Sequence, residues 1–198
     1  MPKTPRAIQP SRRLAVLTLD PGFSAFGWGV VIRESGVEFV AEMNVIRTKK
    51  ASKKLRILAN EDNFMRMRYI AERLIAVIED YKIDAMTFEA FSIPMKASKS
   101  NLVKIGMPYT IISTLSVVYD LAVVMSTPQH IKKAICGRIN ASKEEVEIEV
   151  LNQYGKLPAV RAFMESVPET LHNHGWDALA AYIASDASDV MKALKKRA

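Results

Sequence analysis

Three acids close apolar runs or open an apolar helix: Asp20 after "LAVLTL", Glu89 after "IDAMTF", and Asp177 inside "HNHGWDALAAY". Each alone has an ordinary explanation, as a turn residue, a strand-to-loop crossing, or a carboxylate favoured by a helix dipole. Together they suggest more. If the first and fourth strands are parallel neighbours, their C-terminal ends lie side by side, at the edge where open α/β sheets place their sites. A helix over that edge, carrying Asp177 in its first turn, would present a third carboxylate to the same spot. Clustered carboxylates repel one another and raise their pKa values. A hard divalent cation relieves the conflict, and Mg²⁺ takes a few carboxylates together with water and substrate phosphate. Two such ions could activate a water and stabilise the departing oxygen of an in-line displacement, with Mn²⁺ as the expected substitute. His174 lies three residues before Asp177, on the same face of the helix start. It could be a fourth ligand or a proton shuttle. His172 faces elsewhere, and a zinc site built from the two histidines has no cysteine or third histidine to complete it.

The charge supports a phosphate-bearing partner. Net charge is +7 and the pI about 9.5, which suits nucleic acid. Its distribution says more. Residues 43–60 contain no Asp or Glu but carry Arg47, Lys49, Lys50, Lys53, Lys54 and Arg56. Residues 90–119 are also free of acid, with Lys96, Lys99 and Lys104, as are 121–143, with Lys132, Lys133, Arg138 and Lys143. Lys53, Lys54, Lys96, Lys99, Lys132 and Lys143 are the candidate nucleic-acid contacts. The single Cys136 excludes an internal disulfide and any multi-cysteine zinc framework. No uninterrupted apolar segment reads as long enough to span a bilayer, and the basic N-terminus has no apolar core behind it. The expectation is an intracellular, cytoplasmic protein.

The elements that must position these residues can be read along the chain. Residues 1–12 form a basic arm and 13–198 a single domain. Strands are expected at 14–19, 27–32 and 37–43, with "DPGF" as a turn in which Pro21 fixes φ and Gly22 allows positive φ. A loop or frayed helix start covers 46–56. A helix follows over 61–83 with Asp62 as its candidate cap, then a strand ending near Glu89. Residues 102–121 read as a helix that Pro108 kinks or delays. A strand "AVVMSTP" precedes a short helix with Pro128 in its first turn and Gly137 at its end. Ser142 and Glu145 form a capping box for the next helix, and a last helix runs from about Asn173 through "VMKALKK". The order predicts an α/β fold: a mixed five-stranded sheet, made of a three-stranded antiparallel meander plus parallel strands, flanked by helices.

These residues resemble a family. "LTLDPGFSAFGWGVV", "DAMTFEAF", "STPQHIKKAICGRINASKEEV" and "HGWDALAAYIA" are similar, in order and spacing over residues 13–186, to the conserved segments of RuvC-type Holliday junction resolvases. The resemblance implies an RNase H-like fold, a homodimer, and Mg²⁺-dependent paired nicking of four-way DNA junctions. It implies Asp20, Glu89, His174 and Asp177 as the catalytic metal-binding set, the fourth position being Asp in some relatives and His in others. Lys132 and Lys143 match basic residues that meet DNA phosphates. The family's junction-wedging aromatic has Phe91 as nearest candidate, one residue early, with core packing as the equal alternative. The basic segment 44–63 and the extra arm look like those of a viral or phage relative.

Rival readings are weaker. Asp20, Gly22 and Ser24 also match the phosphate turn of sugar kinases and actin-like ATPases, but those need two lobes, so no nucleotide cofactor is expected. A non-catalytic branched nucleic-acid binding protein of the same fold, or an RNA-processing nuclease, would share the basic faces.

Overall fold

The computed structural model describes residues 13–91 and 98–198, so the expected arm at 1–12 and Lys96 lie outside the described residues. Five strands form one sheet: β1 (Arg13–Asp20), β2 (Ala25–Glu34), β3 (Val37–Arg47), β4 (Ala85–Glu89) and β5 (Ala122–Ser126). The sheet order is β3-β2-β1-β4-β5. The first three pair antiparallel, and β4 joins β1 and β5 in parallel. This is the expected mixed five-stranded sheet.

Strand parity decides which side chains face which layer. Along β1, Ala15, Leu17 and Leu19 bury on one face with Met86 and Phe88 of β4. Leu14 and Val16 bury on the other with Ala85. Asp20 and Glu89 continue the second set by two-residue steps. They also end adjacent strands in neighbouring register, since Leu19 pairs with Phe88. Both acids therefore leave the sheet at one edge and on one face.

Helices cover both faces. On the first lie α1 (Ala59–Tyr81) and α2 (Lys99–Val118). The buried residues of α1, Met67, Ile70, Leu74, Val77 and Ile78, recur at helical spacing. On the second lie α3 (Pro128–Cys136), α4 (Lys143–Tyr154), α5 (Pro158–Ser166), α6 (His172–Ser185) and α7 (Asp189–Arg197). Most of α6 is buried around its circumference, from Trp176 through Ser185, and its alanines let it lie directly on β1, β2 and β4. A helix apolar on every side belongs in the interior. The buried Thr18 hydroxyl donates to the Ala178 carbonyl, pinning α6 to β1.

Several expectations need correction. Asp62 does not cap α1, whose N-cap is Leu58; its buried carboxylate accepts the Ala51 N–H at 2.9 Å and fastens the basic loop to the helix. The helix through Pro108 starts early, at Lys99 after the capping Ser98, with Pro108 inside it. The last helix is two, broken between Ser185 and Asp189, and α5 was not foreseen. Asp177 is the sixth residue of α6 and lies beyond its first turn. Gly22 has no positive φ; a Cβ there would fall 1.9 Å from the Ala25 carbonyl oxygen, so the tight turn itself demands glycine. Contrary to the reading of hydropathy, Ser100–Val118 is long and apolar enough to cross a membrane by length and composition, and only 17% of that window is buried. The Pro128 start, the Gly137 end (φ 73°) and the Ser142–Glu145 capping box stand as expected.

Candidate active site

Asp20, Glu89 and Asp177 line one cavity of about 450 Å³, together with Phe91, Tyr109, Lys132 and Lys143. Parity in β1 and β4 delivers the first two. Asp177 arrives because α6 sits flat on the sheet, and one glycine permits the approach. Gly27 pairs with Asp20 across β1 and β2. A Cβ on Gly27 would lie 2.1 Å from the His174 carbonyl oxygen. The start of α6 thus touches the β2 backbone, and the His174 Nδ1 lies 2.6 Å from Asp20 Oδ2. His174 stands behind Asp20 and is not among the residues lining the cavity. His172 is turned away, with Nε2 2.7 Å from the Val167 carbonyl oxygen and its ring packed against Phe163 and Trp176.

The electrostatics are those of crowded negative charge. Glu89 is pushed up to about 7 by burial first, then by Asp177 and Asp20, against the opposing pull of Lys143 and Lys132. Burial and Asp20 also raise Asp177. The Lys143 Nζ lies 2.6 Å from Asp177 Oδ2. Burial would lower its pKa, but the bond to Asp177 and the charges of all three acids raise it. An ammonium therefore sits where the site calls for positive charge.

That donor set fits hard divalent cations: three carboxylates and an imidazole grouped at one sheet edge, with the charged forms of Glu89 and Asp177 destabilised by burial and by neighbouring acids. Among the described residues no group of three His, Cys, Asp or Glu side chains is so oriented as to hold one ion. Asp20 is turned to His174 and Asp177 to Lys143, each through one carboxylate oxygen.

Of the other expected contacts, Lys132 and Lys143 border the cavity. Phe91 does so too, 38% exposed, with its ring edge-on to Tyr109 at 5.5 Å between centroids. Lys53 opens a short 3-10 turn, Lys53–Leu55, and Lys99 opens α2. The side chains of Lys53 and Lys99 lie outside what the structure describes, and the exposed Lys54 is not among the described residues lining the cavity. Sequence reasoning missed Tyr109. Its hydroxyl donates to the Glu89 carbonyl at 3.1 Å, and burial, Asp20 and Glu89 push it up to about 12. Its only signal was a polar aromatic beside Pro108 in an apolar helix.

Comparison with known proteins identifies the family. The profile of the family described as "Crossover junction endodeoxyribonuclease RuvC" matches residues 16–159, a span that includes Asp20, Glu89, Lys132 and Lys143 but stops before His174 and Asp177. A RuvC of Bacteroides fragilis is 30% identical over 142 residues, covering 70% of this chain and 68% of that protein. One of Christiangramia forsetii is 27% identical over 156 residues, covering 77% and 74%. Among solved structures, Thermus thermophilus RuvC superposes with a TM-score of 0.62 at 22% identity, covering 86% of this chain and 92% of that one. The T. thermophilus protein in complex with a Holliday junction substrate gives 0.63 at 20%, with the same coverage. The yeast mitochondrial Holliday junction resolvase gives 0.60 at 11%, covering 95% and 80%. At these identities the structural likeness establishes the fold. The profile match and the relative at 30% identity go further: the chain belongs to the RuvC family of crossover junction endodeoxyribonucleases.

Proposed function

We propose that the chain resolves four-way DNA junctions by paired nicks, hydrolysing one phosphodiester at each of two active sites. The observation that carries this is the convergence of Asp20, Glu89 and Asp177 on one cavity bordered by Lys132 and Lys143. Asp20, Glu89, Asp177 and His174 would hold Mg²⁺, two ions per site. When bound, the ions supply positive charge to the attacking and departing oxygens of an in-line displacement. The protein's own groups do the rest. Lys132 and Lys143 position the phosphate, and Tyr109 holds the β4 end in place through the Glu89 carbonyl. His174 orients Asp20 through the contact of its Nδ1 with the Asp20 carboxylate. Phe91, at the cavity rim, is the candidate to pack against an unpaired base.

Paired nicking asks for two copies related by a two-fold axis, matching the symmetry of an open junction. Phe64 and Met65 on α1 and Val103, Val117 and Val118 on α2 are all more than half exposed. A second copy covering this face accounts for the apolar, little-buried α2 without a membrane.

The test compares cleavage of a mobile four-way junction, a Y-fork, linear duplex and single strand, in Mg²⁺ and in Mn²⁺. Preferential, symmetric cutting of the junction is expected. Equal cutting of all four DNAs, or none of the junction, would overturn the proposal.

A further inference from the structure

Phe23, three residues past Asp20, has two cations over its ring. The Arg66 guanidinium carbon lies 4.1 Å from the ring centroid and the Lys104 Nζ 6.0 Å from it. Arg66 is held in place. Its Nε donates to Thr48 Oγ1 at 2.9 Å, and its Nη2 donates to Ser24 Oγ at 2.9 Å and to the Thr48 carbonyl at 3.4 Å. Thr48 in turn donates from Oγ1 to the Phe23 carbonyl at 2.7 Å and from its N–H to the Ser24 carbonyl at 2.9 Å. The acid that faces Arg66 is Asp62, and its carboxylate already accepts the Ala51 N–H. A guanidinium so preorganised loses little further freedom on meeting a phosphate.

Beside this network opens a second cavity, of about 290 Å³, lined by Pro21, Gly22, Phe23, Asn101, Lys104 and Ile105. Ile105 also lines the catalytic cavity, so the two adjoin there. On its other side the network enters, through Thr48, the acid-free segment bearing Arg47, Lys49, Lys50, Lys54 and Arg56. Arg66 and Lys104 belong to α1 and α2, on the face of the sheet opposite α3 and α4, which carry Lys132 and Lys143.

We infer that the Phe23 wall is a second DNA subsite: Lys104 and Arg66 hold phosphodiesters of the strand where it leaves the catalytic cavity, and the basic segment 47–56 continues the track. This rests on the junction-resolving reading. The strand is then gripped from both faces of the sheet edge, by Lys132 and Lys143 on one side of the scissile bond and by Lys104 and Arg66 on the other. Phe23 sets the spacing of the two cations, a role that cation–π attraction suits.

The experiment measures equilibrium binding of the full chain to a synthetic four-way junction and to linear duplex over a range of salt, without divalent metal. Lys104→Gln should flatten the slope of log K against log salt by about 1, and Lys104→Gln with Arg66→Gln by about 2. Lys104→Arg should restore the slope. Because Arg66 also ties its loop, the single Lys104 variants decide if the Arg66 variant unfolds. Replacing phosphates beside the scissile bond, one at a time, with neutral methylphosphonates should weaken wild-type binding at one linkage that Lys104→Gln no longer senses. An unchanged slope for Lys104→Gln, with wild-type sensitivity to every neutral linkage, would overturn the inference. If the wild type binds junction and duplex alike, the junction reading fails, while the slopes on either DNA still decide the subsite.

Discussion

Gly27 and His174 meet backbone to backbone: a Cβ on the glycine would stand 2.1 Å from the histidine carbonyl oxygen. Gly27 is the β2 partner of Asp20, so the place where α6 touches the sheet is also where His174 reaches the first acid. Gly27→Ala should push α6 off the sheet. Overpacking of this kind costs roughly 1–3 kcal/mol. Because the displaced helix carries both His174 and Asp177, cleavage should fall by more than the stability loss alone explains. Thermal melts and cleavage rates below the melting range, measured side by side, check this. A variant that melts early yet cuts normally would show that the contact is only structural.

Asp20→Asn and Glu89→Gln should each abolish cleavage while junction binding persists. Each removes one carboxylate from the set proposed to hold the ions, and losing one member of a preorganised charged site costs at least about 10²–10³ in rate. Binding should hold or tighten, since a negative charge leaves the path of a phosphate. Single-turnover cleavage in Mg²⁺ with a parallel gel-shift assay measures both. Wild-type cutting by either variant removes that residue from the site.

The parts of this site that sequence exposes are those written in local patterns. Asp20 and Glu89 stood out because each ends an apolar run, and strand parity then fixed their common face. Ser142 and Glu145 announced a helix start by spacing alone. What stayed hidden depends on contacts distant in the chain. Arg66 reaches Ser24 and Thr48, 42 and 18 residues away, and nothing near Arg66 signals it. Tyr109 meets the Glu89 carbonyl across 20 residues. The break between α6 and α7 was invisible because buried residues continue on both sides, at Ala184 and Met191, so the apolar rhythm outlasts the helix. Pro158 gave α5 a start signal, but its nine residues are too few for a periodic pattern to declare itself.

Lys143 occupies the position of a cation beside Asp177, and its removal should be felt most when metal is absent. Lys143→Met should lower the melting temperature in chelator, because the three acids then lose the cation bonded to Asp177. Added Mg²⁺ should raise the variant's melting temperature by more than it raises that of the wild type. Lys132→Ala leaves the Asp177 contact intact. It should do both more weakly, since Lys132 acts on Glu89 less than Lys143 does, and should flatten the salt dependence of junction binding by about 1. Scanning calorimetry in chelator and across a Mg²⁺ titration distinguishes the two lysines. Identical metal-dependent shifts in both variants would contradict the cation role given to Lys143.

Far from the cavity, Glu38 on β3 gathers the helical layer. It accepts from the Tyr182 hydroxyl at 2.7 Å, from the Lys195 Nζ at 2.8 Å and from the Tyr154 hydroxyl at 3.3 Å, so one carboxylate joins α4, α6 and α7 to the sheet. Burial alone would raise its pKa, but the bonds from Lys195, Tyr182 and Tyr154 outweigh burial and hold it below the ordinary 4.5. A carboxyl depressed in the folded state stabilises above its unfolded pKa, and that contribution disappears as pH falls through the folded value. The Glu38 contribution should therefore be constant near neutrality and be lost below about pH 4.5, as the carboxylate that Lys195 and the tyrosines hold becomes protonated. Glu38→Gln removes the charge but keeps an acceptor. It should cost about 1–3 kcal/mol at pH 7, a fall in melting temperature of roughly 2–12 °C for a chain of this size. Its acid limb should also be shallower than that of the wild type. Melting curves from pH 3 to 8 for both proteins measure this, and parallel curves would show that Glu38 is not the group whose protonation loosens the α6–α7 layer.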